Sequence, residues 1–480
     1  MMHLPVLRFG QPYQSLETEP LHHFLSGEVI AEVSQANAGL IKRDLRKIDR
    51  ARAALRAIPC DELLKRSIRA AELFESGTLT IHGTEQTPDD FVRCLSATTG
   101  MPEALCRLNR SKLVGVLSNL EAILHALMRD LDFDILTRGF GEENGVPVSY
   151  QATTPSLGIV LPSNSPGVHG LWLPVLALQI GLMLKPGSQE PWTPWRMAQA
   201  FLDAGIPEEA LGIYPGPREV GTTLIGNCPR TLLFGSQQTI DQYAGNPGVR
   251  VHGPGFSKIL LGDDVVDDWE RYLDLMETSV LLNGGRGCIN ASGIWASRHT
   301  EEIAEALAER LAKVDVLPPD HDDAVLSAFT IEGHAQAIDQ DIETGLEAGG
   351  ADDVTARHRD TPRLEAKERC GYLRPTVVHC ESPESPLAGK EYMFPFAAVV
   401  RCPQAKMIEK IGPTLVATTL TADEDWCGKL LDAPHVDRLN VGPVPTTQLN
   451  WLQPHEGNLI DFLFRARAYQ AAPLATAGAS

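Results

Sequence analysis

The stretch of this sequence with the clearest chemical potential is a glycine-rich turn ending in a cysteine, Leu282-Asn283-Gly284-Gly285-Arg286-Gly287-Cys288. Glycines let a backbone adopt angles that other residues avoid, so such a turn can approach a ligand closely. A thiol presented there is a candidate nucleophile, because its thiolate attacks carbonyl carbons readily. Free cysteine is also among the most buried residue types, so a structural role for Cys288 stands beside the catalytic one.

A reactive turn needs a rigid scaffold, and the sequence before it predicts alternating strands and helices. Short apolar runs predict buried strands at 157–161, 181–186, 212–214, 231–234 and 249–251. Strands that alternate with helices are typical of a parallel α/β sheet, and such sheets bind ligands at the carboxyl ends of their strands. The polar residues at those ends are Asn164, Lys185, Ser188, Gly235 and Ser236.

The regions before and after these predicted strands have different sequence patterns. Apolar residues at helical spacing predict helices from about Val29 to Phe74 and from Pro88 to Asp130. Glycine turns around alternating apolar residues predict a protruding hairpin over Arg138–Tyr150, which is a candidate oligomer contact. A second α/β region begins after Gly255.

Composition limits the function classes. The chain has 480 residues, which favours two or three domains, and its formal net charge of −20 disfavours unspecific nucleic-acid binding. The nine cysteines are scattered without metal-site spacing, so we expect reduced thiols, a cytoplasmic protein and no metal. We find no signal peptide and no membrane span, and the last residues, Ala471–Ser480, read as a frayed tail.

Four separated patches, in this order, resemble the aldehyde dehydrogenase superfamily. They are the cofactor segment Pro162-Ser163-Asn164-Ser165-Pro166 with Lys185-Pro186, the turn Phe234-Gly235-Ser236, the nucleophile segment Asn283–Cys288, and the ribose segment Glu391-Tyr392-Met393-Phe394-Pro395. The resemblance spans roughly residues 157–400. It implies two parallel-sheet α/β domains, one Rossmann-like for the cofactor and one catalytic, plus a small oligomerisation hairpin.

The same resemblance implies roles for individual residues. Cys288 is the nucleophile that forms a thiohemiacetal and then a thioester, and Asn164 donates to the oxyanion. The remaining implied positions bind NAD or NADP: Lys185 and Ser188 at the adenosine ribose, Gly235 and Ser236 at the pyrophosphate, Glu391 at the nicotinamide ribose and Phe394 beside the nicotinamide.

Departures from the family pattern leave the acyl acceptor open. His252 stands where hydrolytic members carry a glutamate base, and a histidine can also activate water. The following Gly253-Pro254-Gly255 resembles the CoA-acylating aldehyde dehydrogenases and acyl-CoA reductases, in which coenzyme A accepts or delivers the acyl group. Arg286 replaces the usual glutamine, and it could lower the pKa of Cys288, bind an acidic substrate group or point away. Ser188 replaces a frequent glutamate, which leaves NADP as plausible as NAD.

The sequence therefore predicts an NAD(P)-dependent oxidoreductase acting on a small-molecule aldehyde or acyl thioester, with a lean toward acyl-CoA/aldehyde interconversion. The alternatives are a hydrolytic aldehyde dehydrogenase with His252 as base, and a non-catalytic cofactor-binding or assembly protein. We expect a cofactor domain from residues 1–137 and 155–253, a catalytic domain at 254–440, and oligomerisation segments at 138–154 and 441–480. A homodimer or homotetramer is the expected assembly, with no nucleic-acid or membrane partner.

Overall fold

The computed structural model describes residues 2–472, and its first large sheet has seven strands. Their spatial order is Val249–His252, Thr231–Phe234, Ser156–Val160, Gly181–Lys185, Leu211–Ile213, Val6–Arg8 and Gln11–Tyr13. The first five are parallel to one another, and Val6–Arg8 joins them in the antiparallel sense. Val160 lies opposite both Lys185 and Leu233, so the strand ends predicted to carry polar residues meet at one edge of the sheet.

Helices cover this sheet and are linked to it by short loops. The α-helices are Ala38–Leu45, Asp49–Arg56, Cys60–Ser76, Pro88–Thr99, Glu103–Ser118, Leu120–Leu127, Asp134–Arg138, Trp192–Asp203, Arg218–Asn227 and Gln237–Asp241. Three 3₁₀ helices, Pro166–Leu171, Leu173–Leu178 and Glu208–Ala210, complete the set. Proline at the start of each of the first two permits a helical turn there but interrupts a longer α-helix.

The second large sheet also has seven strands. Their order is Ala351–Asp353, Thr376–Cys380, Phe396–Arg401, Ala291–Ala296, Ser257–Leu261, Thr414–Leu420 and Val436–Val441, with Ala351–Asp353 as the antiparallel edge. The α-helices of this region are Leu273–Leu281, Thr300–Leu311, His334–Glu347, Gln404–Lys410 and Glu424–Leu431. The last helix, Leu459–Leu463, packs into the apolar core of the first sheet. Its 3₁₀ helices are Val266–Tyr272, Leu282–Gly285 and Thr355–Arg357, and a small hairpin joins Leu364–Ala366 to Gly371–Leu373.

The central strands of the second sheet are buried on both faces. In Phe396–Arg401, Ala397 and Val399 pack into one apolar cluster, whereas Ala398 and Val400 pack into another on the opposite face. An unbroken apolar run is the pattern expected when helices cover both faces of a parallel sheet. This burial fixes the strand register, and with it the position of the Leu282–Cys288 turn, which leads into the neighbouring strand Ala291–Ala296.

A third, three-stranded sheet is formed by the predicted hairpin and a segment near the C-terminus. Phe140–Glu143 pairs with Val146–Ala152 around an Asn144-Gly145 turn in which both residues have positive φ, and Val146–Ala152 also pairs with Phe464–Arg467. Left-handed angles at both central residues are what a tight hairpin turn requires. Residues 473–480, within the expected tail and oligomerisation segment, lie outside the described residues.

The helix predicted from Val29 begins later than expected. Val29–Ser34 is a strand that pairs parallel to Met2–Leu4 and antiparallel to Thr18–His22. Ala31 and Val33 are buried, whereas Val29 is exposed and Glu32 partly so, which fits a strand with one buried face. The first helix starts at Ala38, where the side chain of Asn37 accepts a hydrogen bond from the Leu40 N–H at 2.9 Å. Among residues 2–472, no helix is long and apolar enough to cross a bilayer.

Candidate active site

A cavity of about 850 Å³ lies between the two large sheets. One wall comes from loops at the carboxyl ends of the first sheet, including Asn164, Gly235 and Ser236. The opposite wall is the turn that carries Cys288. The structure thus brings the candidate nucleophile, the candidate oxyanion donor and His252 to a single cavity.

The turn before Cys288 is held in an unusual backbone shape by its own glycines and asparagines. Asn283, Gly284 and Gly285 all have positive φ, and a Cβ at Gly285 would collide with the backbone of Phe394 and Pro395. The side chain of Asn290 accepts a hydrogen bond from the Gly287 N–H at 2.9 Å and donates to the Leu282 carbonyl at 2.8 Å. The turn is therefore preorganised before any ligand binds.

Asn283 connects this turn to the first-sheet region. Its Oδ1 accepts a hydrogen bond from Asn109 at 2.7 Å, and its Nδ2 donates to the Ser165 hydroxyl at 3.1 Å. Asn109 and Ser165 are both buried. These buried hydrogen bonds hold the two walls of the cavity in register, although Oδ1 of Asn109 is buried without a partner among the described residues.

The thiol of Cys288 is neutral in this environment. Burial and the nearby carboxylate of Glu391 raise its pKa to about 12, while the N–H groups of Cys288 and Ile289 act in the opposite direction. Arg286 does not contribute to this pKa, so thiolate activation by Arg286 finds no support in the geometry. Attack by Cys288 consequently requires a base that removes its proton.

Asn164 reaches across the cavity to the nucleophile's own segment. Its Nδ2 donates to the carbonyl of Arg286 at 3.1 Å and contacts the sulfur of Met393 at 3.5 Å. It does not cap the following helix, whose N-cap residue is Ser165. The second hydrogen of this amide is donated to the Met393 sulfur, a weak acceptor, so the oxygen on a carbonyl carbon attacked by Cys288 is a stronger acceptor that can take its place.

His252 is paired with a carboxylate that the sequence analysis did not assign. Its Nδ1 is hydrogen-bonded to Glu456, its ring stacks on Phe234 with centroids 4.6 Å apart, and its Nε2 is buried without a hydrogen-bond partner. A carboxylate at Nδ1 fixes the proton there, which leaves a lone pair on Nε2. Burial and the charges of His455 and Arg250 lower the pKa of His252, so the ring is a neutral base.

The loop that carries Glu456 is fixed from several directions. Glu456 has a φ of 54°, a left-handed angle that is unusual for this residue type. Arg250 donates to the carbonyl of Asn458 at 3.2 Å, and Asn458 caps the helix Leu459–Leu463. The Nε2 atom of His455 is 3.7 Å from the other carboxylate oxygen of Glu456.

The predicted cofactor residues of the first sheet occupy its carboxyl edge. Gly235 and Ser236 line the cavity, and Lys185 ends its strand half-buried, with its pKa lowered by burial alone. Gly187 sits against Pro162 and Ser163, so a side chain there would fill the space above the strand ends. Ser188 is exposed. A free ammonium and a glycine-lined edge fit the adenosine and phosphate side of a nicotinamide dinucleotide.

The predicted nicotinamide-side residues are arranged differently. The carboxylate of Glu391 accepts hydrogen bonds from the backbone N–H groups of Gly255, at 3.0 Å, and Phe256. Burial raises its pKa to about 7. Phe394 is buried among Tyr392 and Phe396, and Met393 lines the cavity in its place. A carboxylate has lone pairs beyond these two contacts, so ribose binding by Glu391 stays a prediction, as does the role of Phe394.

Three residues of the site were missed at the sequence level: Asn109, Asn290 and Glu456. Asn109 lies 174 positions from Asn283, and Glu456 lies 204 positions from His252. The only signal for Glu456 was the turn-forming Pro454-His455-Glu456-Gly457 stretch, to which no role was given. Contacts across such separations follow from the fold and not from any local pattern.

The chain belongs to the aldehyde dehydrogenase family, because a sequence model described as "Aldehyde dehydrogenase family" matches residues 13–412. The resemblance of the four motifs to that family and the predicted α/β fold are therefore confirmed, whereas the CoA-acylating branch and the oligomerisation role of the hairpin stay predictions.

Individual relatives cover the chain in different degrees. A malonate-semialdehyde dehydrogenase of Halalkalibacterium halodurans is 27% identical over 52% of this chain and 53% of that protein. A 5-carboxymethyl-2-hydroxymuconate semialdehyde dehydrogenase of Escherichia coli is 28% identical over 50% of this chain and 53% of that protein. The chain thus spans about half the length of these curated relatives.

Solved structures match almost the whole chain. An NAD-dependent benzaldehyde dehydrogenase from Corynebacterium glutamicum has a TM-score of 0.75 at 18% identity, covering 96% of this chain and 97% of that one. A 3,6-anhydro-L-galactose dehydrogenase in complex with NAP has a TM-score of 0.77 at 16% identity, covering 97% and 99%. At these identities the likeness shows the fold alone.

Proposed function

We propose that this protein oxidises an aldehyde to a carboxylic acid with NAD or NADP, through a covalent acyl group on Cys288. The observation that carries the proposal is the convergence on one cavity of a thiol, Cys288, and a neutral base, His252. The base has a free Nε2 and a carboxylate, Glu456, on its other nitrogen. When bound, the nicotinamide cofactor accepts the hydride from the aldehyde carbon.

The first step needs proton removal. Because the pKa of the thiol is about 12, Cys288 attacks a carbonyl carbon only as its proton leaves. Two histidines of the described lining, His252 and His455, have a buried ring nitrogen without a partner, and we assign this proton to His252 because Glu456 is hydrogen-bonded to its other nitrogen. The new C–S bond forms as the carbonyl oxygen gains negative charge, and the second N–H of Asn164 donates to that oxygen.

Release of the acyl group is the second task of His252. Once the proton taken from Cys288 has passed to solvent, Nε2 accepts a proton from a water molecule and the resulting hydroxide adds to the thioester carbon. The C–S bond then breaks, and the proton on Nε2 returns to the leaving sulfur of Cys288. Glu456 stabilises the imidazolium that forms and keeps the proton on Nδ1 during the resting state. This arrangement favours water as acyl acceptor, unlike the lean toward acyl-CoA chemistry drawn from the sequence.

The residues proposed for the cofactor are Lys185 and Ser188 at the adenosine ribose, Gly235 and Ser236 at the pyrophosphate, and Glu391 at the nicotinamide ribose. Two observations support this assignment: Lys185 has a free ammonium group, and Gly235 and Ser236 lie on the cavity wall. The choice between NAD and NADP stays open, because no carboxylate occupies position 188 to repel a 2′-phosphate. The nine free thiols suit a reducing compartment, and we propose the cytoplasm.

Transfer of the acyl group to coenzyme A is the second candidate. It is favoured by Gly253 and Pro254, which line the cavity where hydrolytic members of the family carry their glutamate segment. The two candidates differ in what attacks the same thioester.

Aldehyde oxidation measured with and without coenzyme A separates them. We expect full turnover without coenzyme A, with the free acid as product by mass spectrometry. His252→Gln should lower both the first, enzyme-stoichiometric turnover and the steady-state rate about 100-fold or more, because His252 accepts a proton in both steps. Strict dependence on coenzyme A would instead establish the second candidate, and absence of any turnover over a broad aldehyde screen would contradict both.

A further inference from the structure

Arg286 is a buried cation without a partner of opposite charge. Its side chain is 6% exposed and lines the cavity, and its one recorded side-chain hydrogen bond goes to the carbonyl of Ala328. Its guanidinium lies over the ring of Phe329 at 5.2 Å. Removal from water lowers its pKa to about 10, and no carboxylate among residues 2–472 acts on it. Buried charges are costly unless they are paired, so this one is arranged for a ligand.

A second basic group stands beside it. His334 packs edge-on against Phe329 with centroids 5.3 Å apart, and it lines the same cavity. The positive charge of Arg286 is close enough to lower the pKa of His334. His334 is the first residue of the 14-residue helix His334–Glu347, whose N-cap, Gly333, supplies no side chain to cap it. The partial positive charge of a helix start adds to the same field.

The described lining of the cavity has no free acidic group that would neutralise the positive charge at Arg286 and His334. Glu456 is the acidic residue of its lining, and it is engaged with His252 and His455. The rest of the surface near Arg286 is apolar or uncharged, with Phe329, Ile331 and Thr330. An aldehyde that entered with a negatively charged far end would find its counter-charge at Arg286, the lining cation closest in sequence to Cys288; the other cation of the described lining is Lys112.

We propose that Arg286, assisted by His334, binds a carboxylate at the far end of the substrate, so that the preferred substrates are short aldehydes bearing a carboxylic acid. This rests on the proposed function. A guanidinium suits the task because it presents parallel N–H groups to a carboxylate. Arg286 precedes Cys288 by two residues, and the anchored carboxylate therefore holds the aldehyde group beside the thiol.

The test compares succinate semialdehyde with butanal, which has the same number of carbons and no charge. Wild-type enzyme should have a KM at least about tenfold lower for succinate semialdehyde, the size expected for a charge-assisted hydrogen bond. Arg286→Gln should remove that preference while changing the KM for butanal less than about threefold. His334→Gln, an exposed position, should reduce it about threefold, and Arg93→Gln on an exposed helix is the matched control.

A binding readout separates this inference from the proposed function. Succinate, but not butyramide, should slow alkylation of Cys288 by iodoacetamide in the wild type, and Arg286→Gln should lose the protection. Protection without turnover of any aldehyde would support the carboxylate site and contradict the proposed function. Equal use of both aldehydes together with no protection by succinate would overturn the inference, as would an equal loss of both activities in Arg286→Gln. If Arg286→Gln does not fold, the inference is tested by the preference of the wild-type enzyme for succinate semialdehyde over butanal and by the reduction of that preference in His334→Gln.

Discussion

The chemistry of this protein turns on one thiol that is unreactive until a base acts on it. With a pKa near 12, Cys288 is protonated at neutral pH. We expect Cys288→Ala to lower aldehyde oxidation at least about a thousandfold, because no other group can form the covalent acyl intermediate. Binding of NAD or NADP, followed by calorimetry, should persist. Cys427→Ala, at a partly buried position outside the cavity, is the control, and an active Cys288→Ala enzyme would disprove the mechanism.

The pairing of His252 with Glu456 predicts a specific pH response. The Glu456 carboxylate favours the imidazolium, so Glu456→Gln removes a group that raises the pKa of His252. The acid limb of the rate profile should therefore move to lower pH, since His252 must be neutral to act as a base. At the same time kcat should fall about 10- to 100-fold, because the ring loses its orientation. A fall in kcat without a shift of the acid limb would indicate a purely structural role for Glu456.

Buried histidines also link stability to pH. Burial lowers the pKa of His455 to about 4, and that of His252 is lowered as well, whereas both titrate near 6.5 in an unfolded chain. Below about pH 6.5 the unfolded state takes up protons that the folded state refuses, so the free energy of unfolding falls as pH decreases toward 4. Thermal unfolding at pH 7.5 and 5.0 should show a lower Tm at pH 5.0, and a smaller difference in His455→Gln. An identical difference in both proteins would contradict this assignment.

At the residue level, the sequence could indicate only those cavity positions that depend on local position along the chain. Asn164 follows a strand by a few residues, and His252 ends one, so the strand pattern alone put them at the edge where the cavity forms. The strand pattern could not indicate which side chains these residues contact in the folded protein. Glu456 sits in a loop near the C-terminus, and its pairing with His252 arises from the hydrogen bonds of Arg250 and Asn458. The unpaired state of Arg286 is likewise a property of the packed cavity.

At the scale of elements, the link between the two large sheets forms part of the site. It joins Val249–His252 to Ser257–Leu261 and passes so close to the nucleophile that a Cβ on Gly255 would collide with the carbonyl of Cys288. Gly255→Ala should therefore displace the Cys288 backbone and lower kcat about 100-fold, the loss expected from a misplacement of about 1 Å. Gly226→Ala, where a Cβ meets no atom within 4 Å, is the control. Unchanged kcat in Gly255→Ala would show that this contact does not position the thiol.

The sequence predicted strands correctly where apolar runs are continuous. The prediction failed where strands are short and half-exposed. The strands near 157, 181 and 231 were clear in the sequence because they are buried on both faces. The N-terminal strands Met2–Leu4, Val6–Arg8 and Thr18–His22 were not identified, because three to five residues carry little periodicity. Val29–Ser34 was merged into the following helix because its partners lie elsewhere in the chain.

At the scale of the whole molecule, the sheet assignment supports the proposed division into domains. All strands of the first large sheet lie at or before His252, and all strands of the second lie between Ser257 and Val441. Residues 1–137 and 155–253 as a cofactor domain, and 254–440 as a catalytic domain, stay our proposal. The cavity between them is then a site to which both contribute, which explains why neither half of the sequence predicted its full residue set.

The third sheet joins the two segments proposed for oligomerisation, 138–154 and the described part of 441–480. Its outer strand, Phe140–Glu143, pairs on one side only, and Phe140 and Val146 are 44% and 61% exposed. An open edge flanked by exposed apolar side chains invites pairing with another strand, and the same edge on a second copy is the simplest partner.

We therefore expect the protein to form a dimer or tetramer through this edge. Light scattering coupled to size-exclusion chromatography should give a mass that is a multiple of the 52.3 kDa chain. Val146→Lys should shift it toward the single-chain mass, because a lysine at an open edge opposes strand pairing through charge repulsion between copies. Leu431→Lys, at an exposed residue on a different surface, should leave the mass unchanged. A wild-type protein that elutes as a monomer at micromolar concentration would remove the hairpin from consideration as an oligomer contact, and its sheet would then serve only to fasten the C-terminal segment to the first-sheet region.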